Sequence, residues 1–338
     1  MVRIDTGDMM AGPRDIGAAA ACVQAAGYDG LWIAEAQHDP FVLAALAAQA
    51  TTTLHVQTTV AIAFARNPMS MAVAANDAQL VSAGRFSLGL ACGVESQIRH
   101  RYGLPWSRPA ARIREYVLAV RAIWAAFRTG TQPDFRGDFF THTELPPFFD
   151  PGPNEYGYPG ITLSGVGARM AEVAGEVADG FLCHNFMTER YLREVTLPAL
   201  ARGRAKAGKT MAGFRIGPPS FLVTGSTPAE FERAKDLVKQ EIAFYAGNPS
   251  YRPVLEFHGW GELADEAVEL AAAGRLDLLG PAIDDHVLAA FAVVAEPEQV
   301  ADRLKARFGD IASQVVLPMP AAGHDTWPAV LAALRSWS

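Results

Sequence analysis

Short apolar runs alternate with longer stretches whose apolar residues recur every three or four positions, and that alternation is the first structural statement the chain makes. Val2 to Gly7 reads as a strand. A helix starting at Pro13 follows, with Ile16, Ala19, Ala20, Val23 and Ala26 on one face. Leu31 to Ala34 is wholly apolar after the turn residues Gly27 to Gly30, as expected of a strand buried on both faces, and Pro40 opens the next helical pattern. His55 to Ile62, rich in β-branched residues, reads as a third strand, and Phe86 to Leu90 as a fourth, with a helix from Asn67-Pro68 to Val81 between them. Strict alternation with short turns predicts a parallel sheet with crossover helices.

Beyond Leu90 a long polar loop leads to a helix striped by Ile113, Tyr116, Val117, Val120, Ile123, Trp124 and Phe127. The period is then lost in an aromatic- and proline-rich excursion within residues 130–158. Order returns with a strand at Gly160 to Ser164, a helix from Ala168 to Val177 and a strand at Phe181 to Cys183. A helix through Tyr191 and Leu200 follows, then a seventh strand from Phe214 to Val223 and a helix capped by Thr227-Pro228. A second excursion occupies residues 247–285, after which Pro297 to Phe308 reads as a helix, Gln314 to Pro318 as an eighth strand and Trp327 to Trp337 as a closing helix. Without repeats or a hinge-like linker, residues 1–338 are expected to form a single domain.

Half of the 338 residues are hydrophobic and 19% are charged, which describes a globular chain with enough apolar material for a large core. A net charge of -7 argues against nucleic acid or an anionic membrane as partner, since both are held by basic fields. Cys22, Cys92 and Cys183 are scattered and odd in number, which fits a reducing cytoplasm and no metal knuckle. No apolar run reaches spanning length and the first residues lack a leader pattern, so a cytoplasmic protein is expected.

Position gives His38 its interest: it lies just past the carboxyl end of the second strand, where loops carry chemistry on a rigid α/β frame. An imidazole titrates near neutrality, and Glu35 or Asp39 could orient it for acid–base work, although a hydrogen-bonded structural histidine would fill the same place. Asp8 and Glu95 should stand at the ends of the first and fourth strands and could face the same mouth, or serve as solvated capping groups. Ser164, Gly165, Val166 and Gly167 form a small-residue turn between a strand and a helix, where free backbone N–H groups can hold a phosphate. Arg169 and Met170 stand where a dinucleotide fingerprint needs its third glycine, and no Gly-Lys-Ser/Thr follows. His142, His184 and His258 show no metal-ligand spacing, and no G-x-S-x-G elbow is present.

Trp32 to Phe41, Ala65-Arg66-Asn67-Pro68, Ser82 to Leu90, Ala174 to Gly180 and Phe244-Tyr245 together resemble the luciferase-like monooxygenase superfamily, in particular its branch of deazaflavin-dependent oxidoreductases that use coenzyme F420. The resemblance implies a (β/α)8 TIM barrel, bacterial-luciferase-like, with the cofactor ring in its mouth. It implies a non-proline cis peptide or bulge near Thr59-Val60 behind that ring, a phosphate held by Ser164 to Gly167, and His38 beside the reacting carbon. Some relatives place a proton-donating glutamate after the fourth strand; Glu95 is the match, although Cys92-Gly93-Val94 departs from the usual Gly-x-Gly-Glu spacing. Hydride transfer between F420 and a small organic substrate is the activity implied. Phe139, Phe140, Phe148 and Phe149 in the first excursion point to an apolar substrate. Two alternatives share these motifs: an FMN-dependent two-component monooxygenase, and a non-catalytic cofactor-binding protein. A homodimer is expected by the same analogy.

Overall fold

The computed structural model describes residues 2–7, 11–319 and 327–337. Eight parallel strands form a barrel: β1 Arg3–Gly7, β2 Gly30–Ile33, β3 His55–Thr58, β4 Phe86–Ala91, β5 Gly160–Gly165, β6 Gly180–Cys183, β7 Arg215–Gly217 and β8 Gln314–Val316. Their order around the sheet is β7-β6-β5-β4-β3-β2-β1-β8, so sequential strands are neighbours and β1 pairs with β8. Between β7 and β8 the wall is completed at Ser313, whose N–H donates to the Ile216 carbonyl (2.9 Å) while its Oγ accepts from the Ile216 N–H (3.1 Å). This is the expected (β/α)8 architecture.

Helices α1 Ile16–Ala25, α2 Pro40–Gln49, α3 Pro68–Val81, α4 Pro109–Thr129, α5 Ala168–Val177, α6 Leu197–Lys206, α7 Pro228–Ala246 and α8 Val300–Phe308 lie outside the strands, and Trp327–Arg335 closes the chain. Proline occupies the first turn of α2, α3, α4 and α7, where its missing N–H costs nothing. Asp39, Asn67 and Thr227 cap α2, α3 and α7 through side-chain oxygens.

Four expectations need correcting. The first helix begins at Ile16, because Pro13 lies in a turn ahead of it. The loop after β4 is not wholly irregular, since Gln97–Arg101 winds into a helical turn. The third strand does not run unbroken to Ile62: it stops at Thr58, and Ala61–Ile62 pairs afresh with the end of β4. The seventh leaves the barrel after Gly217, where Pro218 and Pro219 have no N–H to give a ladder, and Leu222–Val223 pairs instead with Val293–Val294.

The barrel interior holds a connected polar network. Arg3 makes two-pronged contact with the fully buried Asp5 (2.8 to 3.0 Å), and its Nη2 also donates to Gln57 (2.7 Å) and Gln314 (2.8 Å). Trp32 Nε1 donates to Asp5 (2.8 Å), and Gln57 reaches Thr162 (3.2 Å). Burial pushes the Asp5 carboxyl above its usual range, opposed by Arg3 and Trp32. Nearby, His55 shares a 2.9 Å hydrogen bond with Ser87, and burial, with the charges of Arg3, Arg215 and Arg85, lowers its pKa to about 3.

Two outcomes follow. A Cβ on Gly89 would overlap the Thr58 carbonyl oxygen, which is backbone and cannot swing aside. Gly89→Ala should therefore lower stability by about 1–3 kcal/mol in urea unfolding. His55 is protonated near pH 6.5 when unfolded but stays neutral when folded down to about 3, so acidification favours the unfolded chain across that window. His55→Gln should lose that component, about 1.4 kcal/mol per pH unit, and show a shallower fall in stability between pH 6 and 4.5 than the parent.

Candidate functional site

Because all eight strands run the same way, their carboxyl ends share one rim, and five loops with chemically useful residues meet there. Those loops are Ala34 to Asp39 after β2, Thr59-Val60 after β3, Cys92 to Glu95 after β4, Val166-Gly167 after β5 and His184 onward after β6. Asp8, expected after β1, lies outside the described residues.

At the end of β3 the ladder with β4 pairs Gln57 with Ser87, then resumes with Ala61 opposite Leu90. Four steps on one side match three on the other, so one extra residue is accommodated as a bulge. The Thr59–Val60 peptide within it is cis. Both forms expected of this segment are therefore present. Thr58 secures the gap: its hydroxyl donates to the Gly89 carbonyl (2.9 Å) and accepts from the Gly89 N–H (2.8 Å), taking the place of ladder partners.

Glu35 secures the other side. Its nearly buried carboxylate accepts from the Ile62 N–H (2.8 Å), Arg66 (2.6 Å) and the Tyr102 hydroxyl (3.0 Å). Arg66 extends a second arm to Asp39 (2.8 Å), which also caps α2. The idea that Glu35 or Asp39 orients His38 is thus corrected: both carboxylates are committed to Arg66 and to backbone N–H groups. His38 is exposed on the rim, its Nε2 beside the space above Gly12, and among the described residues its ring makes no hydrogen bond. Glu95 also sits on the rim side of β4, more than half exposed and paired with Arg99 one helical turn on (2.7 Å).

Ser164 and Gly165 end β5, opposite Leu182 and Cys183, and Gly167 is the N-cap of α5. The two glycines answer different demands. Gly165 is small because a Cβ would collide with Met170, whereas at Gly167 a Cβ would meet nothing within 4 Å. No side chain caps α5, so open space faces the first N–H groups of a ten-residue helix. That arrangement fits an anionic oxygen cluster such as a phosphate.

Sequence reasoning weighed His184 only as a metal ligand, yet it follows β6 as His38 follows β2, and that shared position was the signal available. Its ring lies 4.6 Å from both Tyr245 and Tyr251, and Phe186 packs on the same two tyrosines. Burial lowers the His184 pKa to about 4. Cys92, after β4, is held as a neutral thiol by burial, which pushes it up to about 12. Tyr251 comes from the second excursion, where no periodicity foretold its place.

The first excursion does something else. Glu115 on α4 accepts the N–H groups of Asp138, Phe139 and Phe140, and Asn154 binds Asn76 on α3, so the segment wraps the outer helices. Phe140 packs on Tyr116, Phe139 lies under Arg108, and Phe148 and Phe149 face outward. As evidence for an apolar substrate these aromatics therefore carry no weight. Among the described residues no group of three or more His, Cys, Asp or Glu gathers as a metal site, and no helix is long and apolar enough to cross a membrane.

Comparison with known proteins agrees with this architecture. An uncharacterized protein of Mycobacterium tuberculosis is 42% identical over 317 residues, 94% of this chain and 93% of its own. The F420-dependent glucose-6-phosphate dehydrogenase of Amycolatopsis mediterranei is 28% identical over 214 residues, 59% of this chain and 62% of that one. Among solved structures, the coenzyme F420-dependent tetrahydromethanopterin reductase of Methanopyrus kandleri superposes with a TM-score of 0.78 at 20% identity, covering 98% of this chain and 97% of the other. The FMN-complexed oxygenating constituent of 3,6-diketocamphane monooxygenase from Pseudomonas putida gives 0.65 at 16% identity, covering 98% and 95%. The model of the luciferase-like monooxygenase family matches residues 2–314, and the chain belongs to that family.

Proposed function

We propose that the protein is a deazaflavin-dependent oxidoreductase that binds coenzyme F420 in the barrel mouth and moves a hydride between it and a small organic substrate. The observation that carries this reading is the convergence, on one rim, of an uncapped glycine-lined helix start, a bulge and an exposed imidazole, which follow parallel strands β5, β3 and β2 of one barrel. The F420-dependent relative and the F420-dependent structural neighbour support the choice of cofactor. F420, when bound, supplies a ring carbon that accepts or releases hydride.

The chain's own residues supply position and electrostatics. Backbone N–H groups at Gly167 and the first turn of α5, with Ser164, Gly165 and Val166, hold the cofactor phosphate. Thr59 and Val60 support the ring from behind, fixed by Thr58, Gly89 and Glu35. His38 stabilises developing charge or relays a proton at the substrate, and Glu95 and Asp8 are the remaining candidates for proton traffic. The FMN-complexed structural neighbour favours a second reading, an FMN-dependent monooxygenase fed by a separate reductase. A carrier that binds cofactor without turnover is the third. The exposed apolar residues Val73, Leu80 and Val81 of α3, beside an excursion that exposes Phe148 and Phe149, fit the expectation of a homodimer.

Titrating the purified protein separately with F420 and FMN should quench deazaflavin fluorescence with the tighter dissociation constant; preferential FMN binding would transfer the case to the monooxygenase reading. Gly167→Asp improves the helix cap by a few tenths of a kcal/mol and sets a carboxylate where the phosphate belongs. It should therefore keep thermal stability while weakening F420 binding roughly 10-fold or more, and undiminished binding would remove the turn from the site. His38→Ala should retain F420 affinity and lose on the order of 100-fold in kcat, and normal turnover would exclude the imidazole.

A further inference from the structure

The aromatic wall after β6 contains a hydrogen-bond chain whose direction can be read from the donors alone. The Phe186 backbone N–H donates to His184 Nδ1 (3.0 Å), so that nitrogen must present a lone pair. In the neutral imidazole the proton then sits on Nε2, which faces the Tyr251 hydroxyl at 3.0 Å and donates to it. Tyr251 Oη therefore accepts from His184, and its own hydrogen is left for a different acceptor. Among the described residues no other hydrogen bond involves that hydroxyl.

Rotation cannot undo this order, because the imidazole is boxed in. Tyr251 lies nearly face-on to it, Tyr245 meets it edge-on, and Phe186 packs against both tyrosines and against Phe291. His184 stands immediately past the carboxyl end of β6, so the Tyr251 hydroxyl bonded to it lies at the rim that carries the mouth. The two groups that meet there, the His184 imidazole and the Tyr251 phenol, are both held neutral by burial. Glu241, the carboxylate that bears on this wall, acts on Tyr245 from one turn back along α7.

The geometry points to Tyr251 as a fixed hydrogen-bond donor to an uncharged oxygen, a ketone carbonyl or the corresponding alcohol, on an otherwise apolar substrate, with His184 as the residue that positions it. A carboxylate substrate would find no cation in the His184–Tyr251 pair, whereas an aliphatic ketone finds ring faces for its carbons and one directed O–H for its oxygen. The assignment deepens the proposed oxidoreductase reading and rests on the mouth being the substrate cavity. Tyr251 gives up no proton in it: the hydroxyl polarises the oxygen, and the tyrosine stays neutral throughout.

The probe is cyclohexanone carrying carbon-13 at the carbonyl, added to the protein with and without F420. Its carbonyl resonance should move downfield on binding to the parent, and in Tyr251→Phe the shift should vanish while affinity falls about 5- to 10-fold, the loss of one neutral hydrogen bond. Nitrogen-15 spectra of histidine-labelled protein at pH 7 should place the His184 proton on Nε2 in both the parent and Tyr251→Phe, where Phe186 still holds Nδ1. A proton on Nδ1, absence of ketone binding to the parent, or equal shift and affinity in the two proteins would overturn the assignment. If the ketone shift is present and neither F420 nor FMN binds, the donor stands and the cofactor reading alone fails.

Discussion

A carboxylate sealed inside a barrel must be answered by donors, and Asp5 draws its donors from around the wall. Arg3 comes from its own strand, Trp32 from β2, and the same guanidinium engages Gln57 on β3 and Gln314 on β8, while Gln57 passes the chain to Thr162 on β5. A buried ion pair adds little net stability, but leaving the fully buried Asp5 carboxylate unmatched costs several kcal/mol, so alternative registers that separate these groups are disfavoured. Gly30 yields its side-chain volume to the Asp5 carboxylate, which makes the space itself part of the constraint. The heights of the strand ends, and hence of every rim residue, are set from this layer.

The rim repeats the same logic with a different carboxylate. Where β3 bulges away from β4, backbone groups lose their ladder partners, and Glu35 and Thr58 supply substitutes, with Arg66 and Tyr102 holding the Glu35 carboxylate in place. The irregular backbone is framed by the Thr58 hydroxyl on β3 and by side chains from the loops after β2 and β4. Conserving His38 for solvent-facing duty is possible because Arg66 satisfies both nearby carboxylates.

The mouth has two unlike walls. On the β2 side stand an exposed imidazole and a network of ions; on the β6 side stands a second histidine, neutral and enclosed by aromatic rings. Burial sets the second apart, since desolvation disfavours the charged imidazole and holds His184 neutral.

Much of the architecture is written in local pattern: helix starts at Asn67-Pro68 and Thr227-Pro228, β-branched runs at β3, and the glycine turn ahead of α5 are all short-range signals, and they were legible because caps, proline and periodicity act within a few residues. The strand ends ahead of His38 and at Ser164 followed from the same patterns, whereas the end of β3 at Thr58 did not, and there the family resemblance implied a cis peptide or bulge near Thr59-Val60. Other features depend on partners distant in the chain. Glu35 and Asp39 belong to Arg66 rather than His38, the excursion around Phe139 clothes α4 rather than the mouth, and Tyr251 meets His184 across 67 positions. No local rule assigns such partners, because a hydrogen bond or ring contact between remote segments exists only once the closed barrel has brought them to the same side of one rim.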